Sequence, residues 1–199
     1  MKSNVCKIEN GVRDLEAILN ESQKVAEYNG LTPKQTLQLR LLCEELDGML
    51  PNIIDDFDGD FWIEFQDGVC KVNASVTLKT FTPDKKEALI DVSRNKKNAA
   101  AVGIVGKIRS ELENIFLNED MVLYSSNPSG SSFLATGYSD GVDFSYIWSL
   151  EQYINFVKKE EQKEAWDELE KSVLVSAADD VIVGVKGKKA DIVIVKKFA

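Results

Sequence analysis

The chain has 199 residues, of which 44% are hydrophobic and 29% are charged, and its formal net charge is −9. These values are typical of one sizeable globular domain or two small ones. The acidic balance argues against binding to nucleic acid or to an anionic membrane, because both need a basic surface. The chain contains no histidine, which excludes Ser-His-Asp and Cys-His catalysis and a histidine phosphorelay.

No apolar run approaches the roughly 20 residues that span a bilayer, and the N-terminus lacks the apolar core of a secretory signal. We therefore expect a cytoplasmic protein. The three cysteines, Cys6, Cys43 and Cys70, are far apart and odd in number, so they fit neither a disulfide framework nor a zinc pattern. Their positions within apolar patterns predict that Cys43 and Cys70 are buried packing residues.

The first elements in chain order are a short strand over 4–9 and an amphipathic helix over 12–28. A second helix follows over 33–50, beginning with the capping signals Thr32, Pro33 and Gln35. The apolar residues that recur in it at helical spacing are Leu37, Leu41, Leu42, Leu46, Met49 and Leu50. Near its end stands the adjacent acidic pair Glu44 and Glu45.

The next segment predicts a β-hairpin. Residues 55–60 are interpreted as an acidic turn, and the strands 61–65 and 69–79 flank Asp67-Gly68, a dipeptide typical of tight hairpin turns. A third helix over 98–117 contains Gly103 and Gly106. Glycine inside a helix is costly, so we expect these two to serve close packing or backbone approach.

The last 80 residues begin with β-prone segments at 121–126, 133–138 and 142–149. A helical region over 150–178 and a closing hairpin follow, the latter turning around residues 186–189. The predicted buried stripe of the helical region is Trp166, Leu169, Val173 and Ala177. An aromatic group beside it, typical of a core or of an interface, consists of Phe144, Tyr146, Trp148, Tyr153 and Phe156.

A weak internal repeat links the two ends of the chain. A helix, an Asp-Asp pair, a strand, a glycine turn and a strand ending in Lys-x-Phe occur twice. The acidic pairs are Asp55-Asp56 and Asp179-Asp180, and the closing lysines are Lys79 and Lys196. Two interpretations stay open: a true duplication, or two similar hairpins of one sheet.

Three segments together resemble the GHKL superfamily, the ATP-binding domain of histidine kinases, gyrase, Hsp90-type chaperones and bacterial anti-sigma-factor serine kinases. They are LTPKQTLQLRLLCEELDGML, GDFWIEFQDGVCKVNASVTL and AAAVGIVGKIRSELENI. The small anti-sigma-factor type is the most similar. The resemblance covers about residues 5–117 and implies helices packed on one face of a mixed sheet.

The family's motifs are only partly present. Glu45 matches its general-base glutamate, but the magnesium-binding asparagine four residues later is replaced by Met49, and Asn52 comes three residues too late. The adenine-binding Asp-x-Gly-x-Gly has no counterpart, Asp84 being the one nearby acid. Gly103 and Gly106 stand where the glycine-rich end of the ATP lid would lie, and helix-start glycines can accept phosphate. By resemblance, the candidate site is Glu45 as catalytic base, with Asp84, Gly103 and Gly106 binding nucleotide and no protein metal ligand.

We therefore expect an α+β fold, a two-layer α/β sandwich with a mixed, mostly antiparallel sheet. Residues 1–120 form the GHKL-like part, and 121–199 an extension that either completes the same sheet or stands apart. The expected function is that of a degenerate regulatory protein acting through protein contacts, without a cofactor. The alternatives are a divergent ATP- and magnesium-dependent serine kinase or ATPase using Glu45, Asp84 and Gly103, and a structural module that forms oligomers such as a homodimer. The turn at 127–132 is serine-rich but has no histidine partner for a hydrolase.

Overall fold

A computed structural model describes residues 1–10, 14–54, 56–78, 104–109, 112, 146–159, 172–186 and 188–198. Its strands are β1 (Cys6–Glu9), β2 (Phe57–Gln66), β3 (Val69–Leu78), β4 (Tyr146–Ser149), β5 (Asp180–Lys186) and β6 (Lys189–Lys197). Its helices are α1 (Leu15–Tyr28), α2 (Pro33–Ile53), α3 (Leu150–Lys159) and α4 (Val173–Ala177). A further helical segment covers 104–109.

The strands form one six-stranded sheet in the order β1-β2-β3-β6-β5-β4. Every pairing between these strands is antiparallel, so the expected α+β fold with a mostly antiparallel sheet is confirmed, and no parallel pair occurs among the described strands. The centre of the sheet is the β3–β6 pair, in which Val72 lies opposite Ile194. Strands from both ends of the chain therefore share one sheet.

The two faces of the sheet differ in polarity because its strands alternate apolar and polar residues. On one face, β2 and β3 bury Phe61, Ile63, Val72 and Ala74, and the buried residues of α1 and α2 join them in one core. α3 and the segment 104–109 add to the same core through residues such as Leu150 and Ile108. This arrangement is the expected two-layer sandwich. The second face, which we call the polar face, carries Asp58, Asp60, Trp62 and Glu64 of β2 and the residues opposite them.

The start of α2 follows its sequence signals. Thr32 accepts a hydrogen bond from the Gln35 N–H at 3.4 Å, and the Gln35 side chain accepts one from the Thr32 N–H at 2.9 Å, which completes a capping box. The helix passes Pro51 and ends at Ile53. Leu37 and Leu41 depart from the buried pattern, with 67% and 36% of their surface exposed, because the buried stripe instead runs through Leu39, Leu42, Cys43, Leu46, Met49, Leu50 and Ile53.

Two other sequence expectations need correction. The acidic turn predicted over 55–60 is wrong for residues 57–60, which belong to β2, because Phe57 fills the core while Asp58 stays exposed. Val173 was expected in a buried stripe but is 40% exposed, and Leu174 takes its place beside buried Ala177. The predicted strands at 121–126 and 133–138, and Trp166 and Leu169, lie outside the described residues. Of the aromatic group, Trp148 is buried and its ring centroid lies 6.0 Å from that of Tyr153.

The two hairpins occupy equivalent places on either side of the sheet centre. Gln66 pairs with Val69 across the first turn and Lys186 with Lys189 across the second, so the hairpins correspond at an offset of 120 residues. The Asp-Asp pairs that marked the repeat in the sequence do not follow this offset, because Asp56 and Asp180 are 124 residues apart. The register makes Asp60 the counterpart of Asp180. The order strand, two helices, hairpin nevertheless occurs in both halves of the described chain.

Candidate functional site

The acidic pair of α2 faces two different environments. The Glu44 carboxylate accepts a hydrogen bond from Arg40 Nε at 3.1 Å, one helical turn earlier. Glu45 is half-buried and makes no hydrogen bond or ion pair with any residue that the structure describes. Of the two carboxylates, Glu45 is therefore the one still available for an external group.

The position four residues after Glu45 carries no metal-binding oxygen. Met49, four residues on, is only 3% exposed and packs in the core. Asn52 is exposed, and its side-chain amide donates a hydrogen bond to the Gly48 carbonyl of the same helix at 3.0 Å. In the described part of the chain, no three acidic or cysteine side chains are grouped as metal ligands would be.

The helical segment 104–109 lies against the C-terminal end of α2. Its Ile104 and Ile108 are buried, and Arg109 Nη1 donates a hydrogen bond to the Asn52 carbonyl at 3.1 Å. Gly106 is buried within this segment, between the two isoleucines. The structure thus brings the helix that carries Glu45 into contact with the segment that carries Gly106. The other two predicted site residues, Asp84 and Gly103, lie outside the described residues.

Sequence reasoning missed a groove at the first hairpin, where the polar face meets the chain's N-terminus. Its volume is about 530 Å³, and its lining residues are Met1, Lys2, Glu64, Phe65, Gln66, Asp67, Val69 and Lys71. Lys2 Nζ lies 4.6 Å from the centroid of the Trp62 ring and 3.5 Å from Glu64 Oε1. Trp62 Nε1 donates a hydrogen bond to the same oxygen at 2.7 Å. The alternation of polar residues from Asp58 to Glu64 was the signal that could have indicated this surface.

One polar group at the centre of this face is unusual. Asp191, on β6, lies directly between Ser75 of β3 and Gly184 of β5. Its Oδ1 atom is buried and has no hydrogen-bond partner, which is rare for a buried carboxylate oxygen. The corresponding position of the first hairpin is Lys71, which lies opposite Glu64. Within its own hairpin Asp191 instead lies opposite Gly184, which has no side chain.

The cysteines behave as packing residues. Cys43 and Cys70 are fully buried, as predicted, and no disulfide links them. Burial raises the pKa of the Cys70 thiol to about 12 and that of Cys43 well above its usual value. The pKa of half-buried Cys6 is also raised, first by burial and then by the nearby charge of Glu21. None of the three thiols is poised as a nucleophile, which needs a low pKa.

No family model matches this chain, and the comparisons with curated proteins and with solved structures gave no match. The resemblance to the GHKL superfamily therefore stays a prediction from the sequence. Among the described residues, no helix is long and apolar enough to cross a membrane.

Proposed function

We propose that this protein is a degenerate GHKL-like regulatory protein of the cytoplasm, which acts through protein–protein contacts and has lost nucleotide turnover. The observation that carries the proposal is the burial of Met49 in the core. This is the position at which the family places the asparagine that holds magnesium. A thioether is a poor ligand for Mg²⁺, which prefers oxygen atoms, and this one would also have to leave the core.

Two polar side chains near Glu45 make contacts within α2. The Asn52 amide is bonded to the Gly48 carbonyl, and Glu44 is paired with Arg40. Glu45 makes no hydrogen bond or ion pair with the residues that the structure describes. A general base needs a positioned substrate proton within hydrogen-bonding reach. The residues that the structure describes around Glu45 form no metal-ligand cluster that would position one.

The exposed side of α2 supports the protein-contact part of the proposal. Leu37 and Leu41 are one turn apart, so they lie on the same side of the helix, and both are exposed. Polar side chains would be expected at these positions if this side only faced water. An exposed leucine pair beside the Arg40–Glu44 ion pair is the kind of mixed surface that protein interfaces use.

Thermal denaturation with ATP, ADP and GTP, each with and without magnesium, tests the loss of nucleotide binding. We expect no change in Tm at millimolar nucleotide. A ligand at about 100 times its Kd adds about 2.7 kcal/mol, which corresponds to a rise of roughly 5–10 °C for a chain of this size. A magnesium-dependent rise that disappears in Glu45→Ala would contradict the proposal and favour the serine-kinase alternative.

The contact surface is tested separately with the double variant Leu37→Glu/Leu41→Glu. The matched control is Lys34→Glu, which changes an exposed charge on the same helix. We expect a protein captured by the immobilised wild-type chain to be captured by the control but not by the double variant. Equal capture by all three proteins would show that this side of α2 is not the contact surface.

A further inference from the structure

The exposed side of α2 has a gap at Gly48. A Cβ atom on this residue would meet nothing within 4 Å, and the residue is exposed. Glycine is costly inside a helix, and Gly48 does not have the positive φ angle that would account for it. No close neighbour and no special backbone conformation therefore explains the glycine. The space above it is open to a group from outside the chain.

Two leucines lie on the same side of the helix as this gap. Residues at spacings of three or four share one side of a helix, and those that do so here are Leu37, Leu41, Glu44 and Gly48. The leucines are 67% and 36% exposed. Arg40, which is paired with Glu44, borders the stripe. The stripe is accessible and offers an apolar projection, a gap and both signs of charge.

From this stripe we infer that two copies of the chain associate through α2. The helices pack antiparallel around a two-fold axis between Leu41 and Glu44, and Leu37 of each copy fills the gap over Gly48 of the other. An axis midway between Leu37 and Gly48 produces both contacts at once. The inference rests on the proposed function, because it names the protein that contacts this side of α2, a second copy of the chain.

Charge favours the antiparallel orientation. A helix rises 1.5 Å per residue, so Arg40 of each copy comes within about 1.5 Å of the level of Glu44 of the other. Both residues lie on the same side of the stripe, and the guanidinium and the carboxylate can each bond two partners. The four side chains then form a ring of alternating charge. A parallel pair would instead place each charge beside its own copy, which is destabilising.

Shape favours this register over its neighbours. With the axis nearer the start of α2, Leu37 would meet Leu41, and Gly48 would lie beyond the first residue of the other helix. With the axis nearer the end, Leu37 would meet the side chains of Pro51 and Asn52 instead of a gap. The middle register fills both gaps and makes the interface isologous, as in most homodimers. Lys34 lies opposite the last turn of the second helix and outside the ring of charges.

Filling the gap tests the inference, with sedimentation equilibrium of the full chain as the measurement. Two helices give a small interface, so we expect a reversible wild-type dimer in the micromolar to millimolar range. Gly48→Gln should weaken dimerisation about tenfold or more, because its side chain occupies the place of Leu37 twice. The same variant should keep or raise the Tm of the monomer, since glutamine is a better helix former than glycine. A folding defect therefore cannot imitate the expected result.

Charge reversal tests the orientation. Arg40→Glu and Glu44→Arg should each weaken dimerisation about tenfold, because each places like charges opposite each other twice. The double variant Arg40→Glu/Glu44→Arg should restore the dimer. A mixture of the two single variants should form a heterodimer, since every pair between the helices is then of opposite charge. Lys188→Glu, in the turn between β5 and β6, is the matched control and should leave the dimer unchanged.

Three outcomes would overturn the inference. They are a wild-type chain that stays monomeric at millimolar concentration, a dimer that Gly48→Gln leaves intact, and a dimer that the double reversal does not restore. Failure here is distinguishable from failure of the proposed function. A monomeric chain that still captures another protein through Leu37 and Leu41 would keep the contact surface and replace the second copy as its partner.

Discussion

Glu21 of α1 holds Asn4 through two hydrogen bonds, one from the Asn4 backbone N–H at 3.0 Å and one from its side-chain amide at 3.1 Å. Lys24 Nζ lies 2.6 Å from the same carboxylate. The hydrogen bond from Lys24 lowers the pKa of Glu21 most, burial opposes the shift, and the bonds from Asn4 lower it further. Glu21 thus holds the first residues of the chain, which run beside β2, against helix α1.

Replacing Glu21 by glutamine should lower the free energy of unfolding by about 1–3 kcal/mol at pH 7, because hydrogen bonds to a charged acceptor are lost. The folded-state pKa lies below the usual value of 4.5. The contribution is therefore complete above about pH 4.5 and is lost as the pH falls through the folded-state pKa. Urea denaturation of both proteins between pH 7 and pH 3 measures this. The exposed Glu16→Gln is the control, and a difference that does not shrink in acid would contradict the assignment.

The N-terminus of α3 is capped by a side chain from β5. Asp180 Oδ1 accepts hydrogen bonds from the Glu151 N–H at 3.0 Å and from Ser149 Oγ at 3.1 Å. Asp180→Ala should lower the free energy of unfolding by about 1–2 kcal/mol, as loss of a helix cap does. A double-mutant cycle with Ser149→Ala should give a coupling of at least about 0.5 kcal/mol. Additive effects of the two substitutions would mean that the hydroxyl and the carboxylate do not act together.

Two glycines make a matched pair for alanine substitution. A Cβ atom on Gly59 would lie 2.2 Å from the Ser75 carbonyl oxygen, and this backbone atom cannot move aside. A Cβ atom on Gly48 of α2 would meet nothing within 4 Å. Gly59→Ala should therefore lower the free energy of unfolding by about 1–3 kcal/mol or more. Gly48→Ala should raise it by up to about 1 kcal/mol. Chemical denaturation measures both, and similar effects at the two positions would contradict the close approach of β2 and β3.

The thiols should differ in reactivity although all three have raised pKa values. Cys43 and Cys70 are fully buried, whereas Cys6 is half-buried on β1. We expect an aromatic disulfide reagent at pH 8 to modify one thiol of the native chain slowly, and all three after unfolding. A Cys6→Ser variant should lose the native-state reaction. Fast labelling of Cys43 or Cys70 in the folded chain would show that the helices open from the sheet.

The unpartnered oxygen of Asp191 should cost stability. Replacing a buried acceptor that has no donor removes its desolvation penalty, so Asp191→Thr should raise the free energy of unfolding by about 1 kcal/mol. Threonine also suits a strand and forms a good neighbour for Ser75. Thermal and urea denaturation of the variant check this. A loss of stability would mean that the carboxylate has a favourable interaction in the folded chain.

Local signals were sufficient where neighbouring residues decide the structure. Thr32, Pro33 and Gln35 predicted the start of α2, because a capping box is formed within four residues of chain. Asp67-Gly68 predicted the first hairpin turn, and both residues have the positive φ angles, 51° and 76°, that such a turn requires. The burial of Cys43 and Cys70 followed from apolar periodicity in the same way.

Long-range contacts were beyond the reach of these signals. The sequence left open whether the last hairpin joins the sheet of the first, because strand partners far apart in the chain leave no local signal. It also placed Leu37 and Leu41 in the same pattern as Leu42 and Leu46, whereas the position of α2 against the sheet leaves the first two exposed. Of the candidate site, the sequence indicated Glu45 and Met49, and only the fold showed that Met49 packs in the core.

The sequence by itself determined the element types, the main turns and the chemistry that the chain lacks, since these depend on composition and on neighbours within a few residues. Only the tertiary structure decided which of the described strands pair, which leucines stay exposed and which carboxylate oxygen is buried without a donor. These properties depend on how surfaces from distant parts of the chain meet.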